Sequence, residues 1–383
     1  MKYTNRVFTV FFLLLFLTSS TPSVAQKKSI TLSVSNASKV LFDQKVIEIP
    51  WKLVVQKWTD IDTSTLIVTD LSTKKQIIFQ LDINADKQIQ NLLVQVSFQP
   101  NETKKMQLSY GNRAAFAPKT FGRYVPERKE DFAWENDKIA FRMYGKELEK
   151  TPKEMGYGMD VWVKRTEKMI LNERYKRGEY HIDHGDGMDY YHVGYSLGAG
   201  SMMPFLNDSI YYSKNYVGYT ILNNGPLRTT FQLLYDTWTV GANTIKAVKT
   251  ITLDAGSQFN KITVNYEGVK DSVLQVVAGL VERNGSGVKY ADETHGIMTY
   301  WEPVHGVDGT TGVACLFPAP VKRITDFKGQ LVAILNTNKT FSVTYFAGAV
   351  WDRAGFVTTA DQWNDYVKKY RAELNELNKI LVY

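Results

Sequence analysis

A single cysteine, Cys315, stands in this chain of 383 residues. One cysteine rules out an intramolecular disulfide, and with it the small secreted modules stapled by such bridges. No GxGxxG or P-loop run occurs and no βαβ alternation frames one, which removes the dinucleotide-binding and nucleotide-phosphate classes. The HExxH pair and the EF-hand loop are absent too. Lysine and arginine total 46 against 39 acidic residues, a formal charge of +7. That excess is dispersed and forms no basic block, so it carries no nucleic-acid footprint, although it suits an acidic small or polymeric partner.

Long apolar runs are scarce as well; the one that exists lies at the N-terminus. Lys2 and Arg6 precede the apolar stretch Val7 to Leu17, and Ser23-Val24-Ala25 is a small-x-small cleavage signal. This pattern predicts a signal peptide over 1–25, hence a periplasmic, secreted or cell-surface protein. The apolar run is too short to serve comfortably as a membrane anchor, so no transmembrane segment is expected in the mature chain. No cysteine follows it, which excludes lipid attachment at a cysteine. Aromatic residues are plentiful, with 22 Tyr, 19 Phe and 8 Trp. Most are expected in sheets and core, and a minority suit the lining of a carbohydrate site.

The chain reads as mainly β: a small N-terminal β-sandwich-like domain, a large antiparallel β-sandwich of the supersandwich kind, and a C-terminal helix. Residues 26–110 hold short β-rich runs such as ITLSVSN, KVIEIPW, TLIVTDL and NLLVQVSF, parted by polar breaks. Residues 111–130, punctuated by Gly and Pro and carrying Arg113, Lys119, Arg123 and Arg128, read as a linker or a long loop. Residues 131–358 form the large catalytic or binding domain. Within it Met159, Val161 and Val163 alternate with Asp160, Trp162 and Lys164, which predicts a strand with one polar-lined face. Residues 359–383 read as an amphipathic helix packed on the domain, opened by a capping box from Thr359 to Gln362.

The most informative stretch is Tyr180 to Leu197, YHIDHGDGMDYYHVGYSL. It holds three of the five histidines, interleaved with aspartates, tyrosines and glycines. It reads as a polar site on a turn between two strands, with His192 on the return segment facing His181 or His184. A histidine beside a carboxylate can be oriented as a base or as a metal ligand. His184, His192, Tyr190 and His181 are therefore candidate catalytic groups. Arg142 and Arg228, isolated cations in or beside apolar strands, are candidates for holding a carboxylate. Trp162, Lys164, Tyr195, Trp301, Glu302 and His305 are candidate substrate-binding residues. Asp183, Asp186 and His181 form a candidate set for a divalent metal: calcium, zinc or manganese. The plainer reading is that Asp186-Gly187 makes a turn and the histidines make ordinary cross-strand bonds.

Five segments in order, EDFAWENDKIAFRMYG (130–145), GMDVWVKRT (158–166), YHIDHGDGMDYYHVGYSLGAG (180–200), GPLRTTFQLLYDTW (225–238) and LDAGS (253–257), resemble the DUF4861 family of exported Bacteroidota proteins. The resemblance extends over most of residues 30–383. It implies a carbohydrate context, with pectin-like or other uronate glycans, because members accompany polysaccharide-degradation genes. It implies no residue roles. In layout the chain is also similar to aldose-epimerase and polysaccharide-lyase supersandwiches, a likeness of fold alone. The first expectation is an exported enzyme acting on acidic oligosaccharides or polysaccharides by β-elimination, with a His or Tyr base and Arg neutralisation. Glycoside hydrolysis by a carboxylate pair, mutarotase-like proton transfer, a non-catalytic carbohydrate-binding protein and a structural protein are the alternatives.

Overall fold

The computed structural model describes Met1, residues 28–376 and residues 380–382; apart from Met1, the expected leader lies outside the described residues. Among the described residues, no helix is long and apolar enough to cross a membrane.

Period-two patterning produces the architecture that it predicts: the chain is mainly β, built of antiparallel sheets, with one long helix near its C-terminal end. An eight-stranded sheet runs from Gly218–Asn224 through the long strands Arg228–Val240, Asn243–Asp254 and Phe259–Glu267 to Val288–Asp292. Two five-stranded sheets lie over it. One is centred on Gln275–Val281 and the other on Ala140–Met143. Their inward side chains share one core, in which Phe132, Phe141 and Val161 meet Phe231, Leu253, Val276 and Ala333. The inward face also carries a lysine. Lys249 is buried between the apolar residues Ala247 and Ile251 with its ammonium 4.4 Å over the Tyr235 ring and no hydrogen-bond partner among the described residues. Burial pushes its pKa down to about 7, since a bare ammonium in apolar surroundings is expensive.

The outer face of the large sheet carries the helix Ala360–Glu376. Thr359 Oγ1 accepts the Gln362 amide at 3.3 Å, and Gln362 Oε1 accepts the Thr358 amide at 2.8 Å, one residue short of the expected reciprocal bond. Trp363, Val367 and Tyr370 pack on Phe259, Ala314, Leu316 and Phe346. Burying a side chain like Trp363 contributes about 2 kcal/mol or more. The helix is described as far as Glu376 and does not continue to 383. Leu381 belongs instead to the strand Ile380–Val382, which pairs with the first strand, Val34 opposite Val382.

The N-terminal region is a sandwich with its own core, a four-stranded sheet facing a three-stranded one. It contains a short helix, Trp51–Lys57, which follows directly on the β-rich run KVIEIPW. The segment expected as linker contains the strand Thr120–Val125, paired with Asp131–Asn136, so the large body begins ahead of Asp131. The two cores meet at Arg228, whose guanidinium binds Asp254 of its own body at 2.6 and 2.8 Å. It also binds Glu48 at 2.7 Å and Asp82 at 3.4 Å from the small one.

Candidate functional site

Tyr180 to Leu197 is not a hairpin between two strands. A helix, Leu171–Arg177, leads into it and stops at Gly178 in the left-handed region. Asp183 Oδ1 then accepts the amides of Gly185 and Gly187 at 2.8 and 2.9 Å. Gly187, at φ 103°, lets the chain press onto the neighbouring strand, since a Cβ there would stand 2.1 Å from the Val163 carbonyl. The two-residue strand Gly187–Met188 pairs with Val163 and Lys164. The Asp189 amide donates to Tyr180 O at 2.7 Å and closes the loop.

Beneath this loop lies a charge centre. Arg142 and Asp160 are paired across adjacent strands. The guanidinium donates to Asp160 Oδ2 at 2.9 and 2.5 Å and to Asp189 Oδ2 at 3.0 Å, and lies 3.7 Å from Asp131. The rings of Tyr144 and Trp162 flank it, each 5.0 Å away. All three carboxyls are buried. Burial, then the charge on Asp189, pushes Asp160 up to about 7, against the pull of Arg142. Burial pushes Asp131 up to about 6, opposed by Arg142 and Arg128. Neither Asp131 oxygen has a hydrogen-bond partner among the described residues.

A second centre begins at the next residues of the same loop. Tyr190 accepts a hydrogen bond from Thr311 at 2.6 Å and stacks on His305, with centroids 5.3 Å apart at 24°. His305 Nδ1 meets Asp308 Oδ2 at 2.9 Å across a tight turn, leaving Nε2 free to act outward. Glu302, on the same turn and 5 % exposed, receives Arg283 Nε at 2.7 Å. Burial pushes Glu302 up to about 6, opposed by Arg283 and His305. The Arg283 guanidinium in turn lies 4.7 Å over the Tyr191 ring, whose buried hydroxyl lacks a partner among the described residues. Val304 and Val307, 69 % and 83 % exposed, project from the Glu302 turn; Ile182 and Tyr195 are exposed on the loop that faces it.

The structure thus brings Tyr190, Glu302 and His305 together and leaves other expected residues apart. The three loop histidines do not form one group. His181 Nδ1 meets Asp189 O at 2.7 Å, His184 lies 3.5 Å from Glu179, and His192 is exposed. Arg142 and Arg228 are each occupied by three carboxylates, so neither presents a free fork to a ligand. Trp162 and Lys164 do not reach solvent. Their strand is buried on both faces, because the helix and loop cover the polar-lined one. Trp162 stacks with Tyr175 and Tyr180. Lys164 donates to Glu135, Asn136 O and Lys168 O at 2.6 to 2.8 Å. Trp301 packs toward the C-terminal helix, and exposed Tyr195 joins Tyr157 and Tyr212 in a separate aromatic group.

The metal set does not converge. Asp183 is held by Arg165 and the two glycine amides, Asp186 by Arg174 and Arg177, and His181 by a backbone carbonyl. Among the described residues, no three His, Cys, Asp or Glu side chains gather as a metal would require. Arg283, Tyr191, Asp131 and Asp308 are participants that sequence reasoning missed. Only Asp308 left a signal, three residues after His305 in a Gly-rich turn.

The family model described as "Domain of unknown function (DUF4861)" matches residues 34–380. "Uncharacterized protein P7" of Formosa agariphila is 31% identical over 330 residues, covering 80% of this chain and 82% of that protein. Among solved structures, the chain is similar to an alpha-mannosidase from Enterococcus faecalis V583, with a TM-score of 0.48 and 11% identity. That alignment covers 93% of this chain and 45% of the mannosidase. It is also similar to a protein in the Glycosyl Hydrolase Family 38 from Enterococcus faecalis, with a TM-score of 0.48 and 10% identity, covering 93% and 47%. The chain spans less than half the length of either structure.

Proposed function

The chain belongs to the DUF4861 family, and we propose that it is an exported enzyme that works on acidic, uronate-containing oligosaccharides by proton transfer at the Glu302–His305 turn. One observation carries the reading. A buried carboxyl held near pKa 6 shares a tight turn with a histidine that a carboxylate orients, and the two differ in accessibility. A group near pKa 6 can give up and regain a proton at neutral pH, as a general acid must.

The reaction we favour is β-elimination. His305 Nε2 takes the proton from the carbon beside the uronate carboxylate. The electron pair left behind forms a carbon–carbon double bond, the bond from the next carbon to the glycosidic oxygen breaks, and Glu302 hands its proton to that oxygen. Arg283, beside Glu302, is the cation placed to disperse the charge that develops on the carboxylate. Arg142 and Arg228 have no part in the step, because their own acids hold them. Hydrolysis would call for a second unengaged carboxylate across from Glu302. The carboxylates around Tyr190 are engaged: Asp308 is bonded to His305, and Asp352 accepts the Thr310 amide.

The test is incubation of the full mature chain with a panel of uronate oligosaccharides. Ultraviolet absorbance of the unsaturated product and product masses are both read. Glu302→Gln is expected to lower turnover by about a hundredfold or more with unchanged folding. Products heavier by one water would replace elimination with hydrolysis. Binding without turnover in the unaltered protein would make the chain a sugar-binding module.

A further inference from the structure

A cavity of about 550 Å³ lies where the small sandwich, the large body and the C-terminal helix meet. Its volume falls within the range of small-molecule sites and accommodates about two sugar rings. Three features of its wall point to a ligand. First, Gln258, 5 % exposed, lines the cavity, and its Oε1 has no hydrogen-bond partner among the described residues. A buried acceptor left unmade is costly, and a ligand hydroxyl would relieve it. Second, the acids in the wall are engaged within the protein, while two cations have bonding capacity to spare. Asp254 holds Arg228, Glu373 holds Lys45, and Asp137 accepts the Gly256 amide. Lys119, by contrast, donates to a neutral amide, Gln95 Oε1 at 2.7 Å, and Lys369 stands 4.0 Å from Glu373. Third, Phe356 forms part of the lining and is 62 % exposed, its ring edge-on to Tyr366 at 5.5 Å. An exposed ring beside polar groups suits the apolar face of a sugar.

A chain of contacts links the cavity to the Glu302 site. Arg165 lines the cavity, pairs with Asp183 of the histidine loop, and lies 5.5 Å over the Trp351 ring. The Trp351 indole donates to Asp308 O at 2.8 Å, and Asp308 orients His305.

We propose that this cavity is a binding subsite for the remote end of an acidic oligosaccharide. Lys119 and Lys369 receive a sugar carboxylate, Gln258 Oε1 accepts a sugar hydroxyl, and Phe356 covers the ring face. The choice of a uronate ligand rests on the function proposed above; the pocket itself stands on its own wall.

Calorimetric titration of the full mature chain with a saturated uronate disaccharide tests this, with the carboxyl-reduced neutral disaccharide as control. The unaltered protein is expected to bind the acidic sugar saturably and more tightly than the neutral one. Lys119→Met and Phe356→Ala are each expected to weaken that binding by about tenfold. Circular dichroism checks folding; if Lys119→Met does not fold, Phe356→Ala, which alters an exposed ring, decides. Absence of saturable binding, or unaltered affinity in the variants, overturns the subsite even if turnover at Glu302 is found. Binding lost in the variants, with no turnover by any form, upholds the subsite and removes the catalytic reading.

Discussion

Arg142 and Arg228 each sit in a strand among apolar neighbours and each gathers three carboxylates, yet the two clusters are wetted differently. The acids around Arg142 are at most 3 % exposed, whereas those around Arg228 are 14 %, 27 % and 49 % exposed. At the seam the three acids are partly open to solvent and come from both bodies, so Arg228 acts as a bolt between them. Under the histidine loop three acids share one fully buried guanidinium, with Arg128 at the margin, and desolvation dominates. There Asp160 is pushed up to about 7 and Asp131 to about 6, and Asp189 is raised as well. Counting opposite charges does not separate the two cases; the solvent around them does.

Removing each arginine breaks the comparison most forcefully. Arg142→Met leaves three buried carboxyls without their cation and is expected to lower the unfolding free energy by about 3–5 kcal/mol. Arg228→Met exposes its acids to water and is expected to cost about 1–2 kcal/mol. Urea denaturation of both variants measures the gap, and equal losses would overturn the account. Lys249 supplies the limiting case, a buried charge site with no ion-pair or hydrogen-bond partner among the described residues. Lys249→Met is expected to raise stability by about 1–4 kcal/mol at pH 7. Because the folded amine sits near pKa 7 and the unfolded one near 10.4, the unfolded chain binds the extra proton in between. This residue therefore makes stability rise with pH from about 7 to about 10, and the methionine variant should lack that rise.

Asp160 has the opposite slope. Folded, it keeps its proton up to about 7; unfolded, it releases it near 3.9, so the folded chain binds more protons in that window. Stability relative to Asp160→Asn should fall as pH rises from about 4 to 7, by at most about 1.4 kcal/mol per pH unit. Thermal melts across that range check it, and parallel curves would remove the claim. The smallest effect is expected at the surface. His184→Ala, which loses only the contact with Glu179 at 3.5 Å, should change stability by less than about 0.5 kcal/mol.

Much of this molecule can be read from side-chain periodicity. The runs RTTFQLLYDTW and TIKAVKTITL read as strands, and both lie in long strands of the eight-stranded sheet. The helix Trp51–Lys57 was not legible, since seven residues carry too few turns to show a helical period, and Val54 alone of them is buried, in the small core. At the site, Glu302 and His305 stood out because a turn sequence placed them together. Arg142 and Trp162 looked available to a ligand because local alternation cannot reveal what covers a strand's second face. Tyr191 lies in the histidine-rich stretch, but its meeting with Arg283 gave no signal, for it joins segments about ninety residues apart in the sequence. Lys249 reads as an ordinary outward lysine until its neighbours Ala247 and Ile251 are seen to point inward.

The pairing of Ile380–Val382 with Ser29–Asn36 bears on how this protein can be dissected. The small sandwich is not a portable module. Its four-stranded sheet takes an edge strand from the far end of the chain, delivered after the helix that rests on the large body. A fragment stopping at residue 110 would expose the open edge of Ser29–Asn36, and such an edge invites another chain to pair with it. Loss of the last few residues would thus be felt first at the opposite end of the sequence.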